Sequence, residues 1–131
     1  MRRQTDIASA PRPIAPYSQA MVANGLVFTA GQIGLDPSTG DMVQGDFSAQ
    51  AEQVMRNLEA VLIGSGSGWD QVLKLTVFLV DMSNGPVVND LCTRYLPEPF
   101  PARSTIQVAA LPRGAQVEIE CVALTGEPAV G

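Results

Sequence analysis

The chain predicts an α+β fold, one domain in which a mixed β-sheet carries two helices packed on one face. Three observations carry that expectation. An Asn-Gly pair separates two short apolar runs near the amino terminus, two later segments repeat apolar residues at helical spacing, and alternating runs close the chain. The resulting order is strands, helix, strand, helix, strands, which sets both helices against one side of a sheet.

Residues 1–13 hold two prolines and little periodicity, and are expected to form an extended arm. Ala20-Met21-Val22-Ala23 and Leu26-Val27-Phe28-Thr29-Ala30 flank Asn24-Gly25. That pattern predicts a hairpin, because both turn residues tolerate positive φ. Asp36-Pro37-Ser38-Thr39-Gly40 reads as a second turn. Phe47, Ala51, Val54, Leu58, Val61 and Leu62 follow a 3.6-residue period, giving an amphipathic helix capped by Asp46 or Ser48. Gly64-Ser65-Gly66-Ser67-Gly68 stops it. This run follows a helix and lacks the Gly-Lys-Ser/Thr ending, so it reads as a terminator and not as a phosphate loop.

Val72 to Val80 reads as a strand whose Leu73, Leu75, Val77 and Leu79 form an unbroken apolar row on one face. A shorter helix follows Pro86, with Val87 and Leu91 on one stripe and Val88, Cys92 and Tyr95 on another. The last two strands are expected at roughly 103–110 and 116–124, paired as a hairpin through Leu111-Pro112-Arg113-Gly114. Residues 126–131 are expected as a flexible tail of the same single domain, 1–131.

Composition narrows the function. Charged residues make up 16% of the 131, against about 25% in an ordinary globular protein. So little charge predicts an oligomer that buries one apolar face against copies of itself. The net charge is −5, with eight Lys+Arg and no basic run, which argues against a nucleic-acid partner. There is no histidine, which removes Ser-His-Asp and Cys-His catalysis and every histidine-ligated metal site. Cys92 and Cys121 lack a CxxC partner and read as reduced, partly buried thiols of a cytosolic protein. The amino terminus has no signal-peptide core and no segment is long enough to span a membrane, so the expected location is the cytoplasm, with no membrane partner.

Two places could hold chemistry. Pro99-Phe100-Pro101-Ala102-Arg103-Ser104 delivers an arginine on a backbone that proline leaves little freedom. Its planar guanidinium suits bidentate recognition of a carboxylate, although an ordinary surface arginine at the start of a strand fits the segment equally. In the final strand Glu118 and Glu120 face away from Val117, Ile119, Cys121 and Ala123. They are either a solvated edge or a carboxylate placed in a pocket for general acid–base work. Tyr17 after Pro16 suits ordinary packing or a ligand wall. Gly31, directly after the strand ending at Ala30, allows close backbone approach to a ligand or a tight bend. Asn89, early in the second helix, reads as a solvated polar position. Hairpin pairing would set Arg103 and Glu118 at opposite ends of a strand pair, so a site that uses both would lie between subunits.

These segments together resemble the RidA/YjgF family of enamine/imine deaminases. The resemblance rests on Ala15-Pro16-Tyr17-Ser18-Gln19-Ala20, Thr29-Ala30-Gly31-Gln32-Ile33, Asn57-Leu58-Glu59-Ala60-Val61-Leu62, Val88-Asn89, Phe100-Pro101-Ala102-Arg103-Ser104 and Val117-Glu118-Ile119-Glu120, which run in family order. It implies a chorismate-mutase-like homotrimer with clefts between subunits, and cofactor-free hydrolysis of reactive imines and enamines such as 2-aminoacrylate to 2-keto acids and ammonia. By position it implies that Arg103 grips the substrate carboxylate and Glu118 handles water or a proton. Tyr17, Gly31, Asn89 and Thr105 would line the cleft. The chain departs from the family pattern at Ala15, at Ala30, where serine is common, and at Thr105, where some members have cysteine. It also departs at Cys92, where an aromatic is frequent, and in a shortened 89–101 segment. A non-catalytic carboxylate-binding or chaperone-like trimer is the competing reading, and a ribonuclease suits an acidic chain without histidine poorly.

Overall fold

The computed structural model describes residues 1–126, so the tail expected at 126–131 lies outside the described residues beyond Gly126. Its elements are β1 (Arg3–Thr5), β2 (Ala20–Ala23), β3 (Leu26–Thr29), α1 (Phe47–Gly64), β4 (Val72–Leu79), α2 (Gly85–Tyr95), β5 (Ala102–Gln107) and β6 (Val117–Leu124). The strands form one mixed sheet in the order β1-β2-β3-β6-β4-β5. Only β4 and β5 pair in parallel, with α2 as the crossover between them.

Local chemistry explains the elements. Asn24 and Gly25 both take positive φ, 53° and 77°, so the β2–β3 turn twists with its strands. The Asp46 carboxylate accepts the backbone N–H of Ala49 at 3.1 Å and caps α1. At the other end Gly66, at φ 82°, turns the chain away. The buried Ser65 hydroxyl meets Thr5 Oγ1 at 2.6 Å, pinning β1, part of the expected arm, against the end of α1.

Both helices lie on one sheet face. Val54, Met55, Leu58, Val61 and Leu62 of α1 and Val88 and Leu91 of α2 pack with Val27, Leu75, Val77, Leu79, Val117 and Ile119. Full burial of one such leucine stabilises the fold by about 1.5–3 kcal/mol. The opposite face stays uncovered in the single chain. It carries Phe28 and Ile106, 49% and 45% exposed, together with the half-buried Met21, Phe78 and Val122.

Two expectations need correction. The apolar row of β4 does not begin at Leu73: a register shift between Val72 and Lys74 turns Leu73 outward, 45% exposed, and buries Val72. A bulge adds one residue, and every side chain before it changes face. Secondly, β5 and β6 are not a hairpin, because β4 lies between them, parallel to β5 and antiparallel to β6. With Leu75, Val77 and Leu79 all buried, β4 is the strand that gains most from a central place with both edges paired. The more exposed β5 takes the sheet edge.

Candidate functional site

The structure divides the expected site into two halves. In the first, Arg103 lies opposite Leu75 in the β4–β5 ladder, so its side chain rises on the helix face of the sheet edge. There α2 meets it. Arg103 Nη2 donates to Asn89 Oδ1 at 2.6 Å, and Nη1 donates to Cys92 Sγ at 3.7 Å. Burial pushes the Cys92 thiol pKa up and the guanidinium pulls it back only in part, so the sulfur is a weak, neutral acceptor. A cavity of about 320 Å³ opens here, lined by Leu75, Asn89, Cys92, Leu96, Phe100 and Arg103 among others.

The second half is built around Glu118. It lies opposite Phe78, which puts its carboxylate on the uncovered face of the sheet. Burial, and then the charge of Glu120 on the same face, raise its pKa above the ordinary carboxylate value. The backbone beside it is specially shaped. Phe28 pairs with Val122 and Gln32 with Ile119, so four residue steps on one strand run against three on the other. Thr29 Oγ1 fills the break by accepting the Cys121 N–H at 3.0 Å. The bulge brings Gly31 so close to Glu118 that a β-carbon there would overlap the carboxylate. Glycine was expected here for close approach to a ligand or for a tight bend; the approach it allows is to a side chain of the same chain. Tyr17, Ala30, Gly31, Ile33, Pro112 and Glu118 enclose a cavity of about 240 Å³.

Asn57 holds this loop from below. It is 1% exposed, and its Nδ2 donates to Ile33 O at 3.1 Å and Leu35 O at 2.9 Å, while Gln53 donates to its Oδ1 at 2.9 Å. An asparagine in the apolar face of α1 therefore positions the strand end that carries Gly31.

Of the expected residues, Arg103 and Asn89 meet in one cavity, and Tyr17, Gly31 and Glu118 in the other. Thr105 shares the face of Arg103 but lies opposite Val77, outside both cavities. Sequence reasoning missed Leu96 and Ile33 as lining residues. Leu96 follows Asn89, Cys92 and Thr93 at helical spacing, and Ile33 is two residues after Gly31 on an extended run. Periodicity could have found both. Arg103 and Glu118 do not meet within the chain. They stand on opposite faces, three rungs apart along β4 and two strand spacings apart, about 10 Å in each direction. Their separation was expected, but the interposed β4 causes it, not a hairpin.

Residues 7–125 match the family described as endoribonuclease L-PSP. The chain belongs to this family. It is 48% identical over 126 residues to a RutC family protein of Drosophila melanogaster, covering 96% of this chain and 91% of that one. It is 41% identical over 126 residues to the human 2-iminobutanoate/2-iminopropanoate deaminase, covering 96% of this chain and 92% of that one. Among solved structures, RidA from the Antarctic bacterium Psychrobacter sp. superposes with a TM-score of 0.89 at 41% identity, over 93% of this chain and 99% of that one. The resemblance of the sequence to RidA/YjgF proteins and this membership agree.

Proposed function

We propose that this endoribonuclease L-PSP family member hydrolyses reactive 2-imino acids and their enamine tautomers to 2-keto acids and ammonia, in clefts between the subunits of a homotrimer. The observation that carries the reading is the pair of half-sites. One holds a guanidinium steered by Asn89, and the other a carboxylate of raised pKa backed by Gly31. The names of relatives at about this level of identity support the same chemistry. Low charge and the uncovered apolar face around Phe28, Phe78 and Ile106 support an assembly that brings the halves of neighbouring chains together.

In such a cleft the substrate carboxylate displaces the weak thiol contact of Arg103 Nη1 and takes both terminal nitrogens, while Asn89 keeps the fork aligned. Glu118 takes a proton from water as the oxygen attacks the imine carbon. The C–O bond forms as the π pair of C=N moves to the nitrogen, which enters as the protonated imine and so becomes a neutral amine. The proton held on Glu118 then passes to the amine of the resulting carbinolamine. The C–N bond breaks, ammonia leaves, and the hydroxyl becomes the keto oxygen as it gives its proton to Glu118, which solvent or the next substrate then discharges. For an enamine, protonated Glu118 first delivers a proton to the β-carbon. General acid–base work of this kind contributes about 10²–10⁴-fold. The balance needs only water, with no redox step and no cofactor. Tyr17 closes the Glu118 side of the cleft.

The two free thiols suit a reducing compartment, and we place the protein in the cytoplasm. Among the described residues no helix is long and apolar enough to cross a membrane. The test is ammonia release from the imino acid of alanine, generated in situ, above the uncatalysed rate. Binding of pyruvate without any acceleration would instead leave a carboxylate-binding protein.

A further inference from the structure

The cavity beside Arg103 is larger than a carboxylate needs. It occupies about 320 Å³, and Leu75, Cys92, Leu96, Phe100 and Pro101 supply most of its wall. The Asn89 side-chain oxygen and the Thr93 hydroxyl are already engaged. Asn89 Oδ1 accepts from Arg103, and the Thr93 hydroxyl donates to Asn89 O at 3.0 Å. What remains is a guanidinium at one place and an apolar room next to it. A ligand that suits both carries a carboxylate and, a bond or two away, a sizeable apolar group.

Cys92 controls that room. Its sulfur is 3.7 Å from Arg103 Nη1, and the side chain is 7% exposed. A thiol is the smallest side chain among the non-proline residues of the apolar wall, and it stands at the point where the wall meets the guanidinium. A large residue at this position would fill the space directly beside the gripped carboxylate.

We propose that Cys92, with Leu96 and Phe100, forms a side-chain subsite that makes this protein selective for 2-imino acids bearing bulky branched or aromatic side chains. The proposal rests on the hydrolase reading above, because it assigns the carboxylate to Arg103. A methyl group would leave the cavity mostly empty. Each methylene buried in it raises affinity about fourfold, so a leucine-sized side chain gains on the order of tenfold or more over a methyl group.

The unaltered protein provides the first measurement. Calorimetric titration with pyruvate, 4-methyl-2-oxopentanoate and phenylpyruvate should show affinity rising about tenfold or more from the first to the larger two. The kcat/KM for the imino acid of leucine should exceed that for alanine by a similar factor. In Cys92→Phe that ratio should fall at least about tenfold, and Cys92→Leu, a smaller fill that the core accommodates more readily, should lower it in the same direction. A flat series of keto acids overturns the subsite, and so do filled variants that keep the parent ratio. Those failures leave the ammonia assay with the alanine-derived substrate untouched. Conversely, a rising keto-acid series with no ammonia from any imino acid overturns the hydrolase and the substrate assignment together, and leaves the cavity as a carboxylate-binding site.

Discussion

In the proposed mechanism Glu118 handles the proton, and its environment makes a measurable statement. Burial first, and the neighbouring charge of Glu120 second, raise its pKa. If Glu118 acts as the base, the acidic limb of kcat/KM against pH should have its midpoint above the ordinary value of about 4.3 for glutamate. Replacing Glu120 by Gln removes a like charge, so that midpoint should move down; an unmoved midpoint assigns the limb to another group. Glu118→Gln should lower turnover by roughly 10²–10⁴-fold with binding of 2-keto acids retained. Arg103→Ala should cost about 1.5–3 kcal/mol of transition-state binding, read as a loss in kcat/KM, and Arg103→Lys should restore little because an ammonium has no fork. Full activity in Arg103→Ala would remove the carboxylate grip from the mechanism. At this scale much was legible. Alternation alone separated Glu118 and Glu120 from the apolar side of β6, and proline flagged the delivery of Arg103. That Gly31 exists to clear the carboxylate of Glu118 was not legible, because the contact joins residues 87 positions apart through a bulge.

Among the elements, the helices and the first hairpin follow from local signals, and the structure returns them nearly at their expected bounds. Their information is short-range: a cap, a period, a turn with positive φ. The sheet order is not of this kind. Whether β5 pairs with β6 or with β4 depends on which strand gains most from a central place, and the buried row Leu75, Val77 and Leu79 decides that only once the core is assembled. The bulge at Val72–Lys74 was likewise hidden, since Leu73 continues the alternation of the sequence perfectly well. Asn57 links element to site. Its removal takes the donor from the half-buried Leu35 carbonyl and one of two donors from the Ile33 carbonyl, which keeps the Leu35 N–H, at about 1–3 kcal/mol for a buried group left unsatisfied. Asn57→Ala should therefore lower the denaturation midpoint by several degrees. It should also weaken catalysis more than an equally destabilising change far from the loop, because it frees the segment that bears Gly31. Equal activity loss in both proteins at matched stability would reduce Asn57 to a core residue.

For the whole molecule, the decisive feature is that Arg103 and Glu118 occupy opposite faces of one sheet and separate cavities. In a closed ring of identical chains each interface uses two different surfaces, so every cleft can draw Arg103 from one subunit and Glu118 from the next. The uncovered face around Phe28, Phe78 and Ile106 supplies apolar area for such an interface, and replacing Phe28 by Glu should weaken the assembly in light scattering. A mixing experiment tests assembly and site together. Arg103→Ala and Glu118→Gln chains should each be nearly inactive alone. Refolded together in equal amounts as trimers, three quarters of the rings would be mixed, and each mixed ring would contain one cleft with both side chains intact. The mixture should then regain about a quarter of the parent activity. A site contained in a single chain regains nothing, since no chain in the mixture carries both groups. Restored activity would demand contact between an arginine and a glutamate that the fold of one subunit keeps apart.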